Sequence, residues 1–280
     1  MTPSAILLTA FRAEHLAGAA CLSLQVNWPH RLEDWQMALG LSTGIVAMDA
    51  NATRVLGTAL MTPYKQDVAT INMVLVDEAA RGHGLGRKLM EEVIALAGSR
   101  ALRLIATRDG LPLYQKLGFR ETGTIAQHQG HVVRVAPPAN VRPAEPHEIS
   151  AIIDLDRSAG GADREDLLHA FAKVGRLAVL SAGQKIAGFA ALRTFGKGQV
   201  IGPVVAANEE NGKALLAYFM AAREGQFVRV DIAETPQLAP WLTDKGLVRV
   251  DDGIAMQRPV VPRSSGGPLT TFALASQAFG

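Results

Sequence analysis

The sequence predicts an α/β protein of α+β organisation in which two similar halves follow one another. Three observations carry that expectation. The apolar strand Val74-Leu75-Val76 leads into a glycine-dense turn, Arg81-Gly82-His83-Gly84-Leu85-Gly86-Arg87. Beyond it, Leu85, Leu89, Val93, Ile94 and Leu96 recur at helical spacing. Strand-like and helix-like segments alternate along the chain, in an order that begins again after a proline-rich break. Finally, Gly84 and Gly118 stand 34 residues apart, as do Gly212 and Gly246, so one offset of 128 aligns the halves without gaps across this region.

In the first half the pattern predicts a strand over 4–11, helices over 14–26 and 32–40, and strands over 43–49, 54–62 and 68–77. A helix over 84–98, a strand over 101–106, a helix over 110–117 and a hairpin of strands 119–126 and 130–136 follow. Ala136-Pro137-Pro138-Ala139-Asn140 interrupts both periodicities, because proline fixes φ and has no N–H to donate. This break divides the chain into a half over 1–137 and a half over 141–280. With 280 residues and 48% hydrophobic content there is enough apolar side chain for two cores.

Composition narrows the function. A net charge of +2 without a basic run argues against a nucleic-acid-binding surface. No apolar stretch approaches the roughly 18 to 20 residues of a membrane span, and Ile6-Leu7-Leu8 is too short for a signal-peptide core, so a cytoplasmic protein is expected. Cys21 is alone, which excludes an intrachain disulfide, and its helical surroundings predict a small buried hydrophobe. His128 and His131 sit three apart across the predicted hairpin and would face opposite ways in one strand. Neither Cys-x-x-Cys nor His-Glu-x-x-His occurs, and no metal site is expected.

The glycine turn has the physics of an anion cradle. A strand that meets a helix start through glycines leaves N–H groups unpaired, at the positive end of the helix dipole. Gly82, Gly84 and Gly86 allow close approach to the backbone, and Arg81 and Arg87 add positive charge. The dinucleotide fingerprint G-x-G-x-x-G fails, because its third glycine would fall at Arg87, and Gly86-Arg87-Lys88 lacks the Gly-Lys-Ser/Thr ending of a nucleotide-triphosphate loop. R-x-x-G-x-G does fit, at Arg81, Gly84 and Gly86, and resembles the acyl-CoA signature of the GNAT superfamily of N-acetyltransferases. Downstream, Leu113-Tyr114-Gln115-Lys116-Leu117-Gly118-Phe119 resembles the late helix of that family.

The resemblance implies a mixed, mostly antiparallel central sheet flanked by helices in each half, with a splayed parallel strand pair. It implies acetyl-CoA as cosubstrate, held by Val74, Leu75, Val76, Arg81, Gly82, His83, Gly84, Leu85, Gly86 and Arg87. Tyr114 inherits the role of general acid towards the departing thiolate. Chemically, an amine attacking a thioester needs a neutral nitrogen, donors for the carbonyl oxygen as it gains charge, and a proton for the sulfur. Family members often carry a glutamate on the strand before the cradle; here the segment is Thr70-Ile71-Asn72-Met73, so the base is a water relay or a residue such as His30, Asp34 or one from the second half.

The offset of 128 pairs Arg81 with Glu209, Gly82 with Glu210, Gly86 with Ala214 and Tyr114 with Leu242. Carboxylates therefore stand where pyrophosphate would sit, and Pro203 removes a donor from the equivalent strand. The second half is expected not to bind CoA in the usual way. The chain resembles a subgroup of tandem GNAT proteins that share Asp156, Gly161, Asp163 and Arg164, an Ile201-Gly202-Pro203 strand and an apolar tail ending at Phe279-Gly280. The tail either covers a cleft or packs on the second sheet, the latter being the expectation.

Acceptor candidates are Trp28, His30, Asp34 and Asn72, although Glu33 and Asp34 fit an ordinary helix start equally well. The preferred function is N-acetylation of a small-molecule primary amine by direct attack in a ternary complex. A protein or peptide N-acetyltransferase and a non-catalytic acyl-CoA sensor are the alternatives. Monomer and homodimer are both open.

Overall fold

The computed structural model describes residues 6–183, 185–233, 235, 237–260 and 268–280. The first half contains β1 (Leu7–Ala10), α1 (Leu16–Gln25), α2 (Leu32–Gly40), β2 (Thr43–Met48), β3 (Val55–Tyr64) and β4 (Val68–Val76). α3 (Leu85–Ala97), β5 (Ala101–Ala106), α4 (Leu111–Lys116) and β6 (Arg120–His131) complete it. The second half opens with β7 (Val141–Pro143), α5 (Ile149–Gly160), α6 (Glu165–Val174), β8 (Gly175–Ala182), β9 (Lys185–Phe195) and β10 (Gly198–Ala206). α7 (Glu209–Ala221), β11 (Phe227–Ala233), α8 (Leu238–Asp244), β12 (Val248–Arg258) and β13 (Thr270–Ala273) follow. Of the predicted segments, residues 4 and 5, Glu234 and the tail stretch 262–267 lie outside the described residues.

All the strands described join in one sheet, in the order β1-β2-β3-β4-β5-β12-β6-β11-β13-β10-β9-β8-β7. β1 to β4 are antiparallel neighbours, and β4 runs parallel to β5. The halves then exchange a strand. β12 of the second half lies between β5 and β6, pairing Ile254 with Ala106 and Gly253 with Ile125. β6 of the first half in turn pairs with β11, from Phe227 opposite His131 to Ala233 opposite Ile125.

Helices cover both faces. α3 is amphipathic, burying Leu85, Leu89, Met90, Val93 and Ala97 against Ala59, Ala69, Ile71, Leu102 and Leu104. Leu96, expected on that face, is exposed. On the other face, α1 and α2 bring Leu16, Leu22 and Trp35 over Leu60, Val68, Met73 and Leu75. Leu167, Phe171, Ala191, Ala275 and Phe279 join this second cluster, so one core is built from both halves.

Two expectations are corrected. The hairpin of 119–126 and 130–136 is the single strand β6, with no strand over 132–140. Gly130 looks like a turn residue locally, but a Cβ there would lie 2.1 Å from the Gly246 carbonyl, and partners on both edges of β6 keep it extended. His128 and His131 therefore share this strand. Cys21 is exposed, because the buried positions of α1 are Leu16, Ala19, Leu22 and Ser23, and residue 21 lies off that face.

Removing residues 138–280 strips β12 from β5 and both neighbours from β6, leaving open strand edges. The isolated segment 1–137 is expected to associate and to lack a cooperative unfolding transition in size-exclusion and denaturant measurements. A monomeric segment with a sharp transition would show that the exchange is dispensable.

Candidate active site

The site begins with a bulge. Opposite β3, Thr58 pairs with Leu75 and Leu60 with Asn72, so Met73 and Val74 together oppose Ala59. Met73 adopts φ +51°, in the left-handed region, and its carbonyl accepts a hydrogen bond from Thr58 Oγ1 at 2.7 Å. Before the bulge β4 pairs with β5 at Val68, Ala69 and Thr70; beyond Thr70 no β5 partner is found among the described residues. The splay implied by the family resemblance is thus present, and the β5-facing edge of Asn72–Val76 is left without a strand. Val74 and Val76 pack in the α3 core, whereas Thr70 and Asn72 precede the bulge and face away from Ala69 and Ile71, which belong to that core.

At the far end of β4 the chain turns through Asp77, whose carboxylate accepts from Ala79 N at 3.0 Å and pairs with Arg54 at 2.5 Å. Arg81 donates to the Val76 carbonyl at 3.2 Å, and His83 Nδ1 lies 2.8 Å from the Arg81 carbonyl. Gly82 and Gly84 have φ of +81° and +77°, and a Cβ on either would meet nothing within 4 Å. Gly84 caps α3 without a side-chain hydrogen bond, so no cap residue satisfies the first-turn N–H groups. Gly86 is tighter, its notional Cβ falling 3.5 Å from Leu113 and 3.6 Å from Val76. Leu85 is buried in the α3 core, and exposed Arg87 pairs with Glu91 at 2.8 Å. This turn, with its free donors and adjacent cation, fits a pyrophosphate.

Tyr114 projects from α4 into the same core, edge-on to Phe119 at 6.2 Å between centroids. Burial alone pushes its phenol up to about 12, so the proton stays on at neutral pH.

The second half closes the corresponding features. A bulge between Ile201 and Val204 recurs in β10, and β10 pairs with β11 at Gln199 and Val200. Where the two then part, β13 enters the gap: Val204 pairs with Ala273, Ala206 with Thr270, and Ile232 with Ala273. A Cβ on Gly202 would lie 1.9 Å from the Leu274 carbonyl, a measure of how closely the tail follows the bulge. Asn208 caps α7 by accepting from Asn211 N at 2.9 Å, with Glu209 and Glu210 in the first turn. Leu242, the counterpart of Tyr114, is fully buried.

The tail continues from β13 to the first half. Tyr64 donates to the Phe279 carbonyl at 2.5 Å, and Arg164 donates to the Gly280 carbonyl. Arg164 is held by Asp156 through two hydrogen bonds of 2.8 and 2.5 Å, and Gly161 ends α5 in the left-handed region. Asp163 caps α6 at Glu165 N and pairs with Arg157 at 2.8 Å. Thr70, Arg103, Gln257, Gln277 and Arg164 line a cavity of about 90 Å³ on this face, beside the point where β4 and β5 part.

The acceptor candidates separate. Asn72 is buried and donates to Thr62 Oγ1 at 2.9 Å, with Oδ1 unpartnered. Trp28 and His30 lie tilted at 47° with centroids 5.5 Å apart, and His30 meets Phe195 of β9 edge-on at 5.2 Å. The histidine is half-buried; burial, then Arg229, lowers its pKa to about 4, too weak a base to hold a proton. Asp34 is occupied by Arg31 at 2.9 Å and Gly196 N at 3.0 Å, with Arg193 at 3.8 Å. Burial pushes this carboxyl up, but the hydrogen bonds from Arg31 and Gly196 outweigh it and leave it below the ordinary range. Asp34 therefore starts α2 and ties it to the second half. Arg193 and Arg229 each lie over the Phe195 ring, at 4.9 and 5.3 Å from its centroid, contacts the sequence does not signal.

Comparisons with known proteins decide the family. Models described as acetyltransferase (GNAT) domain match residues 42–121 and, independently, 152–266. The chain is a tandem GNAT acetyltransferase. This tandem GNAT chain is 25% identical to the uncharacterised N-acetyltransferase YitH of Bacillus subtilis (strain 168), with 98% of each chain covered. A putative acetyltransferase from Pyrococcus horikoshii shares the fold with TM-score 0.82 at 17% identity, covering 100% of this chain and 98% of that one. A tandem GNAT protein from the clavulanic acid biosynthesis pathway aligns with TM-score 0.61 at 16% identity, covering 93% and 100%. No helix of the described residues is long and apolar enough to cross a membrane, and among them no group of three or more His, Cys, Asp or Glu could hold a metal.

Because His30 titrates near 4 when folded and near 6.5 when unfolded, the folded state binds fewer protons between those values. Its contribution is complete above pH 6.5 and is lost as pH falls towards 4. Between pH 7.5 and 4.5 the wild type should lose about 2 kcal/mol more stability than His30→Phe in urea titrations. Parallel curves would mean that the ring is not held neutral.

Proposed function

We propose that the protein is a cytoplasmic, acetyl-CoA-dependent N-acetyltransferase of a small primary amine, using one acyl-CoA site in the first half. The observation that carries this reading is the continuity of the parted strands. They open on one face towards the uncapped turn of α3 and on the other beside a cavity of about 90 Å³. Acetyl-CoA would supply the activated acyl group as a thioester. The N–H groups of the α3 turn with Arg81 bind its phosphates, and the free edge of β4 holds the pantetheine arm and polarises the carbonyl oxygen. Tyr114 donates a hydrogen bond to sulfur as negative charge builds there. With the phenol near 12 and an ordinary thiol near 8.5, partial rather than complete proton transfer is favoured. The amine nitrogen bonds the carbonyl carbon as the C–S bond breaks, its surplus proton leaves through a water relay, and positioning of amine against thioester supplies much of the rate, without a covalent enzyme intermediate.

The cover over the acceptor face supports a small molecule over a protein substrate. Phe279 and Gly280 lie against Tyr64 and Arg164, and a cavity of about 90 Å³ takes an amine-bearing arm, not a protein loop. Asn72, with an unpartnered Oδ1 on this face, is the candidate to accept a hydrogen bond from the acceptor amine.

Thiol release from acetyl-CoA over a broad panel of small amines tests the activity; no turnover with any amine would leave acyl-CoA binding alone. Tyr114→Phe should lower kcat by about 10²-fold or more while acetyl-CoA affinity stays unchanged. Equal loss of both would make Tyr114 a packing residue. Arg81→Glu, which copies the second half, should weaken acetyl-CoA binding by at least about tenfold in calorimetry. Unchanged affinity would remove the cradle from the account.

A further inference from the structure

A cavity of about 990 Å³ opens at the outer end of the second half, away from the parted strands of the first. The edge strand β7 is three residues long and pairs only with Ala178–Leu180, so the start of β8, paired with β9 on its other edge, has no described strand on the β7 side. The walls are apolar: Pro143, Ile149, Ile152, Leu177, Tyr218 and Phe219. Two guanidinium groups share this lining, from Arg176 and Arg223. Arg223 is 8% exposed and donates to Gln199 Oε1 at 2.5 Å and the Phe219 carbonyl at 2.7 Å, both neutral. Among the described residues neither arginine has a carboxylate within ion-pair distance. The nearby acids are engaged or at the rim, since Glu148 is taken by Arg142 at 2.6 Å and exposed Glu145 lies beside His147 at 3.3 Å.

We propose that this cavity is a second ligand site, which takes an amphipathic carboxylate with its apolar body against Ile149, Leu177 and Tyr218 and its head between Arg176 and Arg223. Its volume falls in the range of small-molecule sites. Arg223, buried without a counter-charge in an apolar setting, is costly, and the exposed Arg176 beside it adds repulsion; an anion relieves both. Burial and then the charge of Arg176 hold the Arg223 guanidinium below its ordinary value, as expected for cations that share a pocket. Arg223 also caps the end of α7 through the Phe219 carbonyl, but that role accounts for neither Arg176 nor the cavity.

Calorimetry on the intact chain, with excess acetyl-CoA present, separates these readings. Decanoate carries body and charge, decanol the body alone, and acetate the charge alone. Decanoate is expected to bind one per chain, decanol about tenfold more weakly or worse, and acetate not at all. Arg176→Ser, at an exposed position, should weaken decanoate about tenfold and leave decanol unchanged. Ala222→Trp, on the exposed rim, should abolish decanoate binding without lowering Tm. The proposal fails if decanoate does not bind at millimolar concentration, if decanoate and decanol bind equally, if acetyl-CoA displaces decanoate, or if either substitution leaves its affinity unchanged.

Discussion

Where two parallel strands part, the backbone N–H and C=O groups between them have to be hydrogen-bonded by something. The two halves of this protein meet that requirement differently. In the first, a bulge at Met73 turns β4 away from β5, and the β5-facing edge of Asn72–Val76 is left without a strand among the described residues. In the second, a bulge at almost the equivalent position parts β10 from β11, and the chain's own β13 fills the gap. The helix starts repeat the contrast. Gly84 leaves the donors of α3 free, whereas Asn208 satisfies a donor of α7 and Glu209 and Glu210 complement its dipole.

Division of labour follows from that difference, and the strand exchange explains why the second half is retained. β12 completes the sheet beside β5 and β6 completes it beside β11, so each half supplies the strand that the other lacks. The tail extends the dependence. After sealing the second gap it crosses to the first half, where Tyr64 and the Asp156–Arg164 pair hold Phe279 and Gly280 on the face opposite α3. Of the residues that mark the second half in sequence, Arg164, held by Asp156, is thus a clamp for this segment, whereas Gly161 ends α5 and Asp163 accepts from the first N–H of α6. Asp34 forms a further tie, since separating the halves would strip the Gly196 N–H from this carboxylate, which keeps Arg31, and would leave the buried Arg193 guanidinium without its nearest carboxylate.

Local chemistry was legible in the sequence to the extent that it is local. The glycines at 82 and 84 require positive φ and open space, which is visible from residue type alone, and the apolar periodicity of α3 follows from its own turns. The repeat offset exposed the loss of Arg81 and Tyr114 from the second half. The bulge was hidden, because a methionine at positive φ carries no signal of its own. The hairpin expected after residue 119 failed for a related reason: Gly130 is a glycine because Gly246 approaches it, and its strand partners lie about a hundred residues away in the sequence. The surroundings of His30 and Asp34 were equally out of reach, since Phe195, Gly196, Arg193 and Arg229 come from the other half.

The central claim is that one half binds acyl-CoA and the other has internalised its own occupant for the same groove. The stoichiometry of acetyl-CoA binding to the intact chain tests it most directly. Isothermal titration with protein of known active concentration should give one acetyl-CoA per chain; two equivalents per chain would contradict it.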